Sequence, residues 1–318
     1  MRRHSSLPER GARARPLALA IGVFDGIHLG HQAVLRAAVR LARREGWTAA
    51  ALTFDPPPEA ALGLPVPPRL GHPDEQAAVM AGLGLDELFR MTFSPALGRL
   101  SPKAFAARVL AGRLRCGAVV VGRGFRFGAG ARGAVRDLED LGRGLGFVVE
   151  EVPPYLCGGR PVSSTRLRRA VRTGRLDEAA ALLGRPWRFR GRVVAGRRLG
   201  RTLGFPTANL EGPQQAIPPR GIWVGRCRRA PHADGRFGGD HRWWGFAGNL
   251  GVRPTLGEGL KPSVELHLLG FRGSLYGRVL EAEFLGFLRP EKKFHSLDAL
   301  SAQISKDVVR AKGFLKGF

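Results

Sequence analysis

The segment that most restricts the fold of this chain is a short glycine-rich turn, Gly22–Gln32, with the sequence GVFDGIHLGHQ. An apolar run, Pro16–Val23, leads into it, and the residues from Ala33 to Leu41 have the spacing of an amphipathic helix. The pattern therefore predicts a strand, a tight turn and a helix. Gly26 and Gly30 have no side chain, which lets the backbone approach another group closely, and a helix N-terminus offers N–H groups to an anion.

Two histidines in this turn, His28 and His31, are candidate ligands of a phosphate. They are three residues apart, so both side chains can reach one phosphate from the first helical turn. A surface helix or half of a zinc site would show the same spacing. An HExxH motif and a Cys-x-x-Cys motif are absent from the sequence, which argues against zinc. The position directly after the first strand favours a phosphate site.

Length and cysteine content set the broad class. A chain of 318 residues predicts two domains, which we place at 1–186 and 187–318. No apolar window approaches the roughly 18 residues of a membrane span, so we expect no membrane partner. Three widely separated cysteines predict a reducing cytoplasm. The basic segment 1–15 is expected to be disordered. We disfavour a transit peptide because the next apolar run is needed as a strand.

The formal net charge is +25, and the excess of basic residues is almost all arginine. Such a balance raises the expectation of a polyanion partner, because arginine pairs well with phosphate. The arginines are spread over the whole chain instead of forming a tail or a stripe. An arginine-biased, solvated surface explains this distribution equally well. We therefore expect nucleic-acid binding only as a non-specific effect of charge.

Residues 16–152 alternate between predicted strands and helices. Ser101-Pro102 marks the start of one helix, which runs to Arg113. This alternation predicts a parallel, doubly wound sheet, whose ligands bind at the carboxyl ends of the strands. The strands that follow the first strand are predicted at 47–54, 86–93, 117–122 and 147–152.

The character of the sequence changes after a short predicted helix at 176–183 and a joint at Gly184–Pro186. Short runs rich in Val, Phe and Trp, broken by Gly and Pro, predict an antiparallel barrel. A terminal amphipathic helix, 296–314, is expected to bury Leu297, Leu300, Ile304 and Val308. The barrel strands are predicted at 187–195, 221–228, 243–251, 262–269 and 278–288.

Two further motifs point to phosphate chemistry. Ser163–Arg168 (SSTRLR) places hydroxyl groups ahead of a helix, where they either bind phosphate or simply cap the helix. Gly196–Asn209 (GRRLGRTLGFPTAN) is predicted to be a flexible loop that wraps a polyphosphate, or else a plain glycine-rich barrel corner. It lacks the GxxxxGK[ST] pattern of a P-loop. Thr207 and Asn209 would point to the same side of an extended segment, and their oxygens suit Mg²⁺.

Together these motifs resemble the family of bacterial bifunctional riboflavin kinase/FAD synthetases. The first turn is similar to the family's GxFDGxHxGH signature, SSTRLR to its SSTxxR motif, and GRTLGFPTAN to the hallmark of its kinase domain. The resemblance covers roughly residues 16 to 312. It implies an N-terminal Rossmann-like nucleotidyltransferase domain and a C-terminal barrel that acts as riboflavin kinase. It also implies riboflavin, FMN and ATP as substrates, with Mg²⁺.

The resemblance also assigns roles to residues. His28 and His31 would hold charge during adenylyl transfer, and Glu265, in SVELH, would be the general base of the kinase. Thr207 and Asn209 would hold the metal. Phe125, Phe127, Arg289 and Phe294 would bind the flavin. The implied nucleotide-binding residues are Gly22, Phe24, Asp25, Gly26, Gly30, Ser163, Ser164, Thr165, Arg168, Gly196, Arg201, Gly204, Thr207 and Asn209.

Two positions in the first domain depart from the family pattern. Pro57 replaces a histidine in the segment after the second strand, and Gly124 replaces an Asp or Asn after the fourth strand. Both changes fall around the implied flavin cleft of the first domain. They leave open a kinase whose adenylyltransferase half is weakened or lost. A flavin-sensing, nucleic-acid-binding regulator is a second alternative, based on the charge of the chain.

Overall fold

A computed structural model describes residues 1–11, 13–196, 199–212, 215–231, 242–254 and 260–317. Arg197 and Arg198 of the Gly196–Asn209 motif, and also Thr255, lie outside the described residues. The contacts of the chain divide it into two units. The first contains Met1–Pro67 and Pro73–Ser163, and the second contains Pro68–His72 and Ser164–Phe318. The predicted boundary at residue 186 remains a prediction.

The first unit is built on a six-stranded sheet with the strand order β1-β4-β3-β2-β5-β6. Every pairing in it is parallel, which confirms the predicted sheet. Its strands are β1 Arg2–His4, β2 Leu17–Ile21, β3 Thr48–Phe54, β4 Glu87–Met91, β5 Cys116–Gly122 and β6 Val148–Val152. Strand β2 lies inside the sheet, so the turn that follows it opens at the carboxyl edge, where parallel sheets bind ligands.

Strand β1 corrects the expectation that the basic N-terminus is disordered. It pairs in parallel with β4 at the edge of the sheet. The carboxylate of Glu87, which is 1% exposed, forms ion pairs with Arg2 and Arg10 and lies 3.3 Å from the Nε2 atom of His4. A buried carboxylate is costly without partners. The basic side chains from which disorder was predicted therefore attach this segment to the sheet.

Helices cover both faces of this sheet. Alternate side chains of β2 enter opposite cores, with Leu17, Leu19 and Ile21 on one face and Ala18 and Ala20 on the other. A short hairpin, β7 Leu156–Cys157 and β8 Arg160–Pro161, follows the sheet. The helices of the first unit are α1 Leu29–Glu45, α2 Pro58–Ala61, α3 Pro73–Gly82, α4 Pro95–Gly98, α5 Pro102–Ala104, which continues as a π-helix over Phe105–Arg113, and α6 Val135–Leu145.

The second unit contains a closed antiparallel barrel with the strand order β10-β13-β12-β11-β14-β9. Its strands are β9 Arg188–Val194, β10 Ala208–Glu211, β11 Gly221–Arg229, β12 Trp244–Pro254, β13 Leu260–Leu268 and β14 Val279–Arg289. Its helices are α7 Ser164–Arg172, α8 Leu176–Leu183, α9 Leu199–Thr202 and α10 Leu297–Leu315. The predicted barrel is confirmed, and β10 is a strand that the sequence analysis did not include.

Helix α10 packs against β11, β12 and β14, but its buried stripe differs from the prediction. Val308 and Ala311 are buried, whereas Leu297 is 56% exposed. Leu300 and Ile304 line a cavity, and Ile304 also packs against the edge of the core. The C-terminal half of the helix therefore packs on the barrel, while its N-terminal half covers an open space.

Part of the arginine excess has a structural role on the barrel. Glu281 and Glu283 are almost fully buried, and both carboxylates are paired with arginines. Arg228 lies 2.6 Å from Glu281, and Arg226 lies 2.7 Å from Glu283. The ring of Trp243 stacks on the guanidinium groups of both arginines. Buried carboxylates need such cations, so these arginines compensate buried charge as well as contributing to the surface.

Candidate active sites

The histidine turn begins where β2 ends. Phe24, Gly26 and Ile27 all have positive φ angles, of 53°, 78° and 44°, so the chain reverses sharply before α1. His28 caps the helix, because its Nδ1 atom accepts a hydrogen bond of 3.2 Å from the backbone N–H of His31. This bond fixes Nδ1 as the acceptor and leaves Nε2 of His28 as the nitrogen that carries hydrogen. The structure thus brings both histidines to the start of α1, as predicted.

The two imidazole rings are stacked, with centroids 3.6 Å apart and an interplanar angle of 18°. Burial, and secondly the neighbouring charge of His28, lower the pKa of His31 well below its ordinary value. Its buried Nδ1 atom has no hydrogen-bond partner among the described residues. The His31 imidazole is therefore electrically neutral at pH 7. It can donate a hydrogen bond to a phosphate, and an added negative charge would favour its protonation.

The glycines of this turn serve the side chains of the site. A Cβ atom on Gly30 would lie 3.2 Å from the ring of His28, and one on Gly22 would lie 3.1 Å from the ring of Phe24. Both are closer than most real Cβ contacts. Gly26 is needed for its positive φ angle. The glycines therefore let the rings pack, which is a more local reason than the approach to a ligand that the sequence suggested. Asp25 accepts a hydrogen bond of 3.4 Å from Gln76.

The implied flavin residues of the first unit have different surroundings. Phe127 is 6% exposed and belongs to the hydrophobic core, where it stacks under Phe125 at 5.9 Å between centroids. Phe125 packs against the edge of this core and is only partly buried. Gly124 has a φ angle of 79°, and no atom lies within 4 Å of a Cβ atom built on it. Phe125 is therefore the more accessible of the two rings, and the flavin-binding roles of both remain predictions.

The SSTRLR motif spans the division between the units. Ser163 is the last residue of the first unit, and Ser164 begins α7 in the second. Thr165 is exposed. Nε of Arg168 donates a hydrogen bond of 2.9 Å to the carbonyl of Pro68, and Arg166 pairs with Glu178. The nucleotide-binding roles of Ser163, Ser164, Thr165 and Arg168 remain predictions.

In the barrel, strand register assembles a row of candidate residues. Asn209 on β10 pairs with Glu265 on β13, which also pairs with Asn249 on β12. Asn249 pairs with Ile222 on β11, and Ile222 pairs with Arg289 on β14. Directly paired residues project to the same face of a sheet. The row therefore lies on one face, and the cavity described next identifies it as the face beneath α10.

A cavity of about 680 Å³, here called the α10 cavity, is bounded by this row and by α10. Its walls include Glu265, Asn249, Arg289 and Phe294, with Leu300 and Ile304 contributed by the helix. A volume of this size fits a drug-sized ligand. Phe294 also lies against Arg289, whose Cζ atom is 6.0 Å from the ring centroid.

A second cavity of about 600 Å³ adjoins the first, and we call it the loop cavity. It is lined by Gly196, Arg201, Thr207 and Asn209, and also by Tyr276. Thr207 lines both cavities, so they meet at this residue. Two ligands could thus approach each other beside Glu265.

The described part of this loop, residues 199–209, has more regular structure than predicted. Residues 199–202 form α9, and the N–H of Phe205 donates a hydrogen bond of 2.7 Å to the carbonyl of Gly200. Gly204 has a φ angle of 83°, which explains why glycine is required there. A Cβ atom on Gly196 would lie 2.4 Å from Nδ2 of Asn209, so that glycine makes room for the asparagine.

Arg289 has a structural partner that the sequence did not reveal. Its guanidinium donates hydrogen bonds of 2.6 to 3.1 Å to both carboxylate oxygens of Asp307 on α10. Gln303 donates a further hydrogen bond to the same carboxylate. The pair is almost fully buried. Arg289 thus holds α10 over the cavity, and most of its hydrogen-bonding capacity is used within the protein.

Sequence reasoning missed Asn249 and Asp307 as residues of the site. Asn249 has no local signature of its own, because its neighbours in the site depend on strand register. Asp307 looked like an ordinary polar position on an amphipathic helix. His267, noted in the SVELH motif, contributes to the site by its Nδ1 atom, 2.9 Å from the carbonyl oxygen of Pro206.

A parallel sheet of the nucleotide-binding type, followed by a barrel with two adjoining cavities, is typical of a two-domain transferase. The FAD synthetase family model matches residues 11–166, and the riboflavin kinase family model matches residues 183–315. The chain therefore belongs to the family of bifunctional riboflavin kinase/FMN adenylyltransferases. It is an enzyme with one domain of each kind.

Relatives and solved structures support this membership along the whole chain. The bifunctional riboflavin kinase/FMN adenylyltransferase of Pseudomonas fluorescens is 36% identical over 97% of this chain and 95% of its own length. That of Escherichia coli K12 is 35% identical over 98% and 95%. A crystal structure from Streptococcus pneumoniae, described as a macrolide-efflux protein, has a TM-score of 0.80 and 27% identity, covering 98% of both chains. Within the described residues of our chain, no helix is long and apolar enough to cross a membrane.

Proposed function

We propose that the barrel transfers the γ-phosphate of ATP to the 5′-hydroxyl of riboflavin, with Glu265 as the general base. The observation that carries this proposal is the position of Glu265, which pairs with Asn209 at the junction of the two cavities. Riboflavin would occupy the α10 cavity and ATP the loop cavity. Glu265 accepts the hydroxyl proton while the oxygen bonds to the γ-phosphorus and the bond to ADP breaks.

Thr207 and Asn209 would hold Mg²⁺ in this site. Both offer oxygen atoms, the ligands that this hard cation prefers, and both line the loop cavity. When bound, the cation neutralises charge on the phosphates. The chain itself contributes the fixed position of Asn209, packed against Gly196, and the cation of Arg201. Such transfers depend mainly on positioning and electrostatics.

Substitution of Glu265 by Gln tests the kinase. It keeps the size of the side chain but removes the proton acceptor, so FMN formation should fall by about 10²–10⁴-fold while riboflavin still binds. A variant within a few-fold of the parent would exclude Glu265 as the base. Asn209→Ala should raise the Mg²⁺ requirement of the kinase alone. An equal effect on both reactions would instead indicate a role in folding.

For the first unit we propose adenylyl transfer from ATP to FMN. A phosphate oxygen of FMN bonds to the α-phosphorus of ATP, the bond to the bridging oxygen breaks, and pyrophosphate leaves. No protein nucleophile is required. His28 and His31, stacked at the start of α1, donate hydrogen bonds to the phosphates. The free N–H groups and the dipole of α1 act in the same direction.

His31→Ala tests this assignment. FAD formation from FMN should fall by a hundredfold or more, by analogy with the loss of one donor to developing charge. FMN formation from riboflavin should stay unchanged, because Glu265 is in the other unit. FAD appearing at the parental rate would refute the site. An alternative proposal, a kinase with a weakened adenylyltransferase, is favoured by Pro57 and Gly124, and would show as a parent that makes FMN but no FAD.

We further propose that the enzyme works in the cytoplasm. None of the three cysteines forms a disulfide, which supports the predicted reducing compartment.

A further inference from the structure

Asn249 occupies a distinctive place in the row of residues under α10. Glu265 lies between two asparagines on neighbouring strands, with Asn209 on one side and Asn249 on the other. Asn209 lines the loop cavity, whereas Asn249 lines the α10 cavity together with Glu265. Register thus assigns one asparagine to each cavity. Only Asn209 was identified from the sequence.

The two asparagines differ in their surroundings. Asn209 packs against the backbone of Gly196. The Oδ1 atom of Asn249 is buried and accepts no hydrogen bond from any described residue. A buried amide oxygen without a donor is costly, so native proteins seldom keep one without a reason. The missing donor is therefore expected from a molecule that enters the cavity.

The neighbouring groups indicate the chemistry of that donor. The carboxylate of Glu265 and the amide oxygen of Asn249 are both acceptors, on strands whose paired residues are about 4.5–5.5 Å apart. Two adjacent acceptors match a molecule with adjacent hydroxyl groups, each of which donates one hydrogen bond. The isoalloxazine ring carries mostly acceptors, which match the cations of Arg289, Lys292 and Lys293 elsewhere in the cavity wall.

We propose that Asn249 binds the polyol chain of riboflavin, accepting a hydrogen bond from a hydroxyl next to the one that reacts. This inference rests on the proposed kinase function, which places riboflavin in the α10 cavity. Asn249 then determines specificity, because a flavin without hydroxyls leaves its Oδ1 atom unpaired. It also orients the 5′-oxygen towards Glu265. Sites built to pair a hydroxyl reject analogues that lack it.

The test compares the binding of riboflavin and of lumiflavin, which has a methyl group in place of the polyol. Flavin fluorescence is titrated with the full-length parent and with Asn249→Leu, which keeps the side-chain volume without an acceptor. The variant should bind riboflavin about tenfold more weakly, the usual effect of one lost hydrogen bond, and lumiflavin within about twofold of the parent. Asn249→Asp, which retains an acceptor, should bind riboflavin nearly as well as the parent.

Ser305→Ala on the exposed side of α10 is the matched control and should change neither affinity. Equal weakening of both flavins by Asn249→Leu, or no weakening of either, would overturn the proposal. Lumiflavin binding itself shows that the cavity is intact, and Asn249→Ala replaces the leucine variant if that variant does not fold. A parent that fails to prefer riboflavin would also contradict the inference. Failure of the kinase proposal is distinct, since it would appear as FMN formation by Glu265→Gln.

Discussion

Replacing Asp307 by Asn should destabilise the barrel far more than an ordinary surface change. The carboxylate accepts three hydrogen bonds from Arg289 and one from Gln303. Asp307 is 3% exposed and Arg289 is 9% exposed. The asparagine has nearly the same shape, so the loss is mainly that of charge. Leaving a buried guanidinium uncompensated costs about 3–5 kcal/mol.

The assay is urea unfolding followed by tryptophan fluorescence, because four of the five tryptophans lie in the second unit. With a slope of about 2 kcal/mol per molar urea, the midpoint of the barrel transition should fall by about 1.5–2.5 M. Asp298→Asn, an exposed change in the first turn of the same helix, is the control and should cost under about 1 kcal/mol.

A loss of less than about 1 kcal/mol in Asp307→Asn would refute the reasoning, because it would mean that the guanidinium finds water or another partner. The double variant Arg289→Met with Asp307→Leu separates charge from packing. Apolar residues of similar volume often replace a buried ion pair without loss of stability. The double variant should therefore be more stable than Asp307→Asn. Riboflavin affinity should still fall in both, since α10 forms one wall of the cavity.

Three further predictions concern His31, the three cysteines and Gly124. Because burial and His28 lower the pKa of His31, and a bound phosphate would raise it again, ATP binding should be accompanied by proton uptake and should strengthen as the pH falls. Calorimetry should find this dependence reduced in His31→Gln. Burial raises the pKa of Cys116, and in the second unit it raises the pKa of Cys227 to about 12. A thiol reagent should therefore modify only the partly exposed Cys157 in the folded protein, and all three thiols after unfolding. Gly124→Asp should speed FAD formation without changing FMN formation, because a Cβ atom at this position meets no neighbour and Asp tolerates a positive φ angle. The control Gly124→Ala adds no polar group and should not speed FAD formation.

Local patterns predicted most of the secondary structure. The strands and helices of the sheet follow from the period of the apolar residues, and the helix at 176–183 was predicted with its observed ends. Strand β1 was missed because it consists of only three basic residues, and its arginines are held by Glu87, far along the chain. An ion pair between distant residues has no local signature. Strand β10 was missed because it follows directly on a glycine-rich loop.

Site residues that belong to a local sequence motif were predictable, whereas residues that are brought together by strand register were not. His28, His31, Thr207 and Asn209 are readable from spacing, because neighbours on a turn or on one strand stay together. The pairing of Asn249 with Glu265 depends on the register of two strands, and a slip of one residue would turn every side chain to the other face. Nothing local in the sequence fixes that register.

The central claim is that each unit performs one of the two reactions, and a chromatographic time course of the flavins tests it directly. With riboflavin and excess Mg-ATP, the parent should accumulate FMN transiently and then form FAD. Glu265→Gln should form neither product from riboflavin but should still convert added FMN to FAD. His31→Ala should stop at FMN. Loss of both reactions in either folded variant, or FAD from riboflavin in both, would contradict the assignment of one reaction to each unit.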